Sequence, residues 1–116
     1  MTEDNECNIR LIYSTTSNEE EAQKIGDNLV TNRLVACVNI IPGMKSIYHW
    51  QGKIEHDDEC IMLAKTTSDN TEEVISRIKE LHSYDLPCIV VVPIISGLPD
   101  YLKWIGDETH AKAEDS

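Results

Sequence analysis

Apolar residues change their spacing several times along this chain, and each change marks an element. From Asn8 to Ser14, Ile9, Leu11 and Tyr13 alternate with Arg10 and Ile12, the period of two that a strand requires. Thr15 to Asn18 breaks the alternation. Ser17 and Glu20 then stand at capping-box spacing, and Ala22, Ile25 and Leu29 follow on one helical face. Gly26 within that helix predicts close packing against a sheet. From Leu34 to Ile41 the period returns to two, with Val35, Cys37, Asn39 and Ile41 on one face and Ala36, Val38 and Ile40 on the other. Pro42-Gly43 predicts a kink or bulge in one long strand that Met44 to Trp50 continues. Gln51-Gly52 is a turn, Lys53 and Ile54 begin the return, Glu55 to Glu59 is polar, and Cys60 to Ala64 is strongly apolar. The result is a long hairpin.

A second helix starts with Asp69 and Glu72, or with Asn70 and Glu73, and buries Val74, Ile78 and Leu81. Pro87 blocks further helix, Cys88 to Val92 forms a short strand, Ser96 to Pro99 turns, and Asp100 to Gly106 forms a short final helix. The order is βαββαβ. The predicted fold class is therefore α/β in the α+β sense: a ferredoxin-like sandwich with a long extended hairpin and a short C-terminal helix. Residues 1–7 form a flexible acidic N-terminus, 8–106 the domain, and 107–116 a polar tail. Right-handed crossovers put both long helices on one face of an antiparallel sheet and leave the other face bare. That bare face and the projecting hairpin, with Trp50 near its tip, call for cover by further copies of the chain.

Composition narrows the function. The 116 residues carry a formal net charge of -11, and no basic patch interrupts it, which excludes phosphate-backbone binding to nucleic acid. No apolar run is long enough to span a membrane, and the acidic start does not resemble a signal peptide, so a cytoplasmic location is expected. The 4 cysteines contain no Cys-x-x-Cys pair. Cys37, Cys60 and Cys88 lie in apolar strand-like segments and are expected as buried free thiols, while Cys7 sits near the polar terminus.

Candidate chemistry is sparse. Glycine-rich phosphate loops, His-Glu-x-x-His and the EF-hand pattern are all absent. Ser14, Ser17 and Ser46 have no placed base, so no catalytic residue and no organic cofactor is assigned, and a binding role is read ahead of an enzymatic one. Cys37 offers a soft ligand for copper or zinc, His82 ends the second helix beside its apolar stripe, and Cys88 begins the adjacent strand. These three are the candidate metal ligands. Tyr48, Trp50, Lys65 and Tyr84 are candidate pocket or interface residues. His49 and His56, with Asp57, Asp58 and Glu59, form an exposed acidic turn that attracts cations loosely.

The run Leu34-Val35-Ala36-Cys37-Val38-Asn39-Ile40-Ile41-Pro42-Gly43 continues into Ser46-Ile47-Tyr48-His49-Trp50-Gln51-Gly52-Lys53-Ile54. With Lys65-Thr66-Thr67, Glu80-Leu81-His82-Ser83-Tyr84-Asp85-Leu86-Pro87 and Asp100-Tyr101-Leu102-Lys103-Trp104-Ile105, it resembles the CutA divalent-cation-tolerance proteins over about Ile9 to Ile105. The resemblance implies a tight homotrimer, a response to copper and other divalent metal ions, and, from animal relatives linked to a membrane-bound esterase, a role as a module for a protein partner. Three positions depart from the family pattern: Ser83 replaces its usual Pro, Cys88 its usual Glu, and Ser14 a Cys that some bacterial members carry.

Overall fold

The structure, a computed structural model, describes residues 7–109. It contains β1 (Ile9–Thr16), α1 (Glu19–Thr31), β2 (Cys37–Trp50), β3 (Lys53–Thr67), a short 3₁₀ turn, α2 (Thr71–Leu81), β4 (Ile89–Pro93) and α3 (Pro99–Glu108). The strands form one antiparallel sheet in the order β2-β3-β1-β4. The expected βαββαβ sandwich is present. The last helix runs past Gly106 to Glu108, and the expected terminal segments 1–7 and 107–116 fall mostly outside the described residues.

The end of β1 and the start of α1 differ from the sequence expectation, each for a local reason. β1 continues through Thr15 and Thr16 because β3 pairs with it to Thr16↔Cys60. The cap of α1 is Asn18, not Ser17: its side chain accepts from the Glu21 N–H at 2.8 Å, one residue further along the same box spacing. α2 starts at Asn70, the second of the two starts the sequence allowed, and the Asn70 amide reaches the Leu34 carbonyl at 3.3 Å and ties the helix start to the segment before β2.

One layer of core lies between the sheet and α1 with α2. Ile12, Met62 and Ala64 from the strands meet Ile25, Leu29, Val74 and Ile78 from the helices, with Leu34 and Val35 closing one end. Gly26 lets α1 approach: a Cβ there would stand 3.2 Å from Val38 Cγ1, close enough that the valine would have to give way by a few tenths of an ångström. Along β3 the even positions Cys60, Met62, Ala64 and Thr66 are buried beneath the helices, so the odd positions face the opposite, helix-free side. α3 covers one end of that side, where Lys65 Nζ lies 5.7 Å from the Tyr101 ring centroid and Ile105 is fully buried.

The β2–β3 register slips between Ile41 and Met44, the bulge that Pro42-Gly43 predicts, with Gly43 at φ 83°. The slip inverts the facing of β2. Before it, the odd residues Cys37, Asn39 and Ile41 share the helix-free side with the odd residues of β3; beyond it, Met44 pairs with Glu59, and the even residues Ser46, Tyr48 and Trp50 take that side. The stretch Lys53–Glu59 pairs with β2 alone, so the hairpin projects roughly 20 Å as a two-stranded arm. Ile47 and Ile54 on the arm's other face are 69% and 61% exposed. A lone two-stranded arm has little stability of its own in water.

The arm turns at Gln51-Gly52, where both residues have positive φ, 52° and 81°, as a two-residue type I′ turn requires. Gln carries a side-chain penalty in that left-handed region that Asn largely escapes. Gln51→Asn is expected to raise stability by about 0.5–1 kcal/mol, read as an increased thermal midpoint with unchanged far-ultraviolet circular dichroism.

Candidate functional site

The arm, β1 and the connection from α2 to β4 enclose a groove of about 810 Å³ on the helix-free side. Tyr13 and Thr15 form its floor, Ser46, Tyr48 and Trp50 line the arm, and Tyr84 and Cys88 stand opposite. The inverted facing beyond the bulge is what directs Ser46, Tyr48 and Trp50 here. Three carboxylates line the groove, Asp57, Glu59 and Asp85, and the first two are held by hydroxyls. Glu59 accepts from Ser46 Oγ at 2.6 Å and from Tyr84 Oη at 2.9 Å, while Asp57 accepts from the Tyr48 hydroxyl. The bond to Asp57 pushes the Tyr48 phenol up to about 12. Burial, then the bond to Glu59, raises Tyr84 as well. The Cys88 thiol is raised first by burial and then by the Glu59 charge, which favours its protonated form.

The candidate ligands do not meet within one chain. Cys37 pairs across the sheet with Lys65, whereas Thr15, beside the His82 ring, pairs with Ile61, four positions and about 13 Å away along β3. Cys37 Sγ lies 3.8 Å from the Tyr101 hydroxyl, under α3. Cys88 lies at the groove end, and its carbonyl accepts from Ser14 Oγ at 2.7 Å. Of the three thiols expected to be buried, only Cys60 is; Cys37 is half-buried and Cys88 exposed, because both point to the side that the long helices leave bare. Among the described residues no group of three or more His, Cys, Asp or Glu side chains is placed to hold a metal ion.

His82 is occupied by the main chain. Its Nδ1 accepts the Tyr84 N–H at 3.1 Å, so the ring hydrogen is on Nε2, which donates to the Thr15 carbonyl at 2.7 Å. Both nitrogens are in hydrogen-bond contact with the main chain. Lys65 Nζ donates to Asn39 Oδ1 at 2.9 Å at the α3 end of the sheet, so within one chain Lys65 and Tyr84 stand at separate places.

Sequence reasoning missed Glu21. It stands in the first turn of α1, where its Oε1 accepts from Ser17 and its Oε2 accepts the Ser83 N–H at 2.7 Å, locking the α2–β4 connection to α1. The signal was the Asn18–Glu21 spacing, which is a capping box one residue later than the one predicted.

A four-stranded antiparallel sheet with two helices on one face, a bulged arm and a groove beneath that arm defines a ferredoxin-like α/β sandwich. Residues 10–108 match the CutA1 divalent ion tolerance protein family, and the chain belongs to it. It is 47% identical over 98 residues to the divalent-cation tolerance protein CutA of Archaeoglobus fulgidus, covering 84% of this chain and 94% of that one. It is 43% identical over 99 residues to the Thermus thermophilus protein of the same description, covering 85% and 96%. The crystal structure of CutA from Xylella fastidiosa superposes with a TM-score of 0.86 at 42% identity, covering 89% of this chain and 99% of that one. The chain spans 54% of the chloroplastic CutA protein of Arabidopsis thaliana.

Burial by itself would raise the Glu21 carboxyl, but hydrogen bonds from Ser83 and Ser17 outweigh it and leave the group below its ordinary 4.5. A depressed carboxyl contributes stability that is fully present above about 4.5 and is lost as the pH falls through the lower, folded value. Glu21→Gln should therefore flatten the acid limb of a stability-against-pH curve, measured by urea denaturation, and leave the neutral region less stable than the parent.

Proposed function

We propose that the protein acts in tolerance of divalent cations as a homotrimer that takes up copper, or another divalent metal such as zinc, through donors brought together from more than one copy. The carrying observation is the placement of Cys37 and Cys88. Both thiols lie on the helix-free side, and among the described residues neither belongs to a group of three side chains placed to hold a metal ion. That same side bears the groove, the half-exposed Trp50 and Tyr48, and Leu86 at 73% exposure, an apolar surface suited to cover by a second copy. Three copies is the number that the family resemblance implies. Thiolate donors select Cu(I) or zinc over Mg or Ca and release protons when they bind.

A second reading is an interaction scaffold whose part in metal tolerance is indirect. The dispersed donors favour it, as do the exposed Ile95 and Leu98 at 82% and 69%, which offer contact area without chemistry. No helix among the described residues is long and apolar enough to cross a membrane. The free thiols agree with a reducing, cytoplasmic setting, which is kept as part of the proposal. One solved Archaeoglobus fulgidus relative is described as periplasmic, so family membership does not select the compartment.

Sedimentation equilibrium should give the mass of three chains; a stable monomer or dimer sinks the trimer. Trp50→Asp should weaken assembly at least tenfold, about 1.4 kcal/mol, with secondary structure retained. Reduced, metal-free protein titrated with Cu(I), Cu(II) and Zn(II) should bind stoichiometrically, and Cys37→Ala or Cys88→Ala should reduce that uptake. Equal, weak uptake by all three forms would leave the scaffold reading standing and the acidic surface as the only sink.

A further inference from the structure

The chain has 4 tyrosines, 2 tryptophans and no phenylalanine. Tyr13, Tyr48, Trp50 and Tyr84 all line the groove beneath the arm, while Tyr101 and Trp104 stack on each other at the α3 end. Every groove tyrosine has its hydroxyl engaged. Tyr13 donates to the Met44 sulfur at 3.6 Å, Tyr48 to Asp57, and Tyr84 to Glu59 at 2.9 Å. The phenols are thus fixed at their oxygen ends, and what they offer the cavity is ring. A phenol that donates to a carboxylate is polarised toward its ring, whose face is already negative. Asp85, exposed beside Tyr84, adds a third carboxylate to the lining. The basic lining residues Lys45 and His49 occupy odd positions of β2, which face away from the groove beyond the bulge, and Asp58 holds the Lys45 ammonium at 2.7 Å.

We propose that this groove binds an organic cation, a small molecule with an alkylated ammonium head group. The donor chemistry of the walls favours that class over a metal ion. A metal ion exchanges its water for several lone pairs at about 2 Å. Here Glu59 already accepts two hydroxyl hydrogens and Asp57 one, and no group of three donors among the described residues is placed to hold a metal. An alkylammonium ion spreads its charge over its methyl groups and needs no short bonds. It is attracted both by the ring faces and by the carboxylates that hold the rings. The volume of about 810 Å³ suits a small organic molecule. A neutral molecule of the same shape gains only the apolar contact, and an anion meets three like charges. The site goes beyond the tolerance of divalent cations: it uses the rings and carboxylates of one chain and takes neither a thiol nor a metal.

The test titrates tetramethylammonium chloride into the full, ¹⁵N-labelled chain near neutral pH, following the Trp50 indole N–H and the amides of Tyr48, Tyr84 and Asp85. Sodium chloride at equal ionic strength and tert-butyl alcohol, a neutral molecule of similar shape, are the controls. Saturable shifts confined to the groove are expected with tetramethylammonium, none with sodium chloride, and binding of the alcohol weaker by roughly threefold or more. Tyr48→Leu removes one wall at an exposed position and should weaken tetramethylammonium binding roughly threefold. Asp57→Asn combined with Asp85→Asn keeps an oxygen for the Tyr48 hydroxyl. It should weaken the cation by a similar factor, roughly threefold, and leave the alcohol unchanged. Trp50 is left in place because of its part in assembly, and sedimentation checks that each variant keeps the parent's mass; if Tyr48→Leu does not, the paired Asp→Asn variant decides. The absence of a saturable shift, equal affinity for the ammonium ion and the alcohol, or unaltered affinity in the paired Asp→Asn variant would each overturn the site. Metal uptake is read separately: its failure leaves this site standing, and failure of the ammonium titration leaves the metal reading standing.

Discussion

β3 has to pair on both edges at once, and the two pairings have different lengths. β1 holds it from Cys60 to Thr67, while β2 follows it on to Lys53. Within the doubly paired part, strict alternation commits Cys60, Met62, Ala64 and Thr66 to the helix layer, where burial of apolar surface at about 25 cal/mol per Å² supplies most of the stabilisation. Outside it, no helix and no third strand among the described residues covers either face. The core, the projecting arm and the groove beneath the arm all follow from where the β1 partner ends.

Two of the groove carboxylates are held by hydroxyl donors and do not stand as bare charges. Glu59 is held by two hydroxyls and Asp57 by one, and Glu21 receives main-chain and side-chain donors from Ser17 and Ser83. In a chain with net charge -11 this matters, because carboxylates crowded on one arm repel each other unless hydrogen bonds stabilise them. The hydroxyl groups of the tyrosines are spent on this duty. Tyr48 and Tyr84 therefore shape the groove as rings while their oxygens hold the acids in place.

Much of the fold was legible because it is encoded in local spacing. The stripe of Ala22, Ile25 and Leu29, the alternation around Cys37, the tight contact at Gly26 and the bulge at Pro42-Gly43 are short-range patterns. The site was less legible because it depends on register between distant strands. Alternation in sequence gave Cys37 a plausible interior, but only the pairing with β3 shows that its face is the helix-free one. His82 read equally well as a ligand or a cap, since nothing near it in sequence reveals that the Thr15 carbonyl waits for Nε2. The separation of Cys37 from Cys88 is likewise a matter of which end of β1 each lies near.

The inversion of facing at Ile41/Met44 also restricts how such an arm can vary in length over evolutionary time. Adding or removing one residue on β2 beyond the bulge would turn Tyr48 and Trp50 away from the groove and bring Ile47 and His49 toward it. A change of two residues, matched on β3, would lengthen or shorten the arm and leave every inward side chain inward. Arms of this architecture are thus free to drift in reach by paired steps, while an unmatched single insertion calls for a second bulge to restore the original faces.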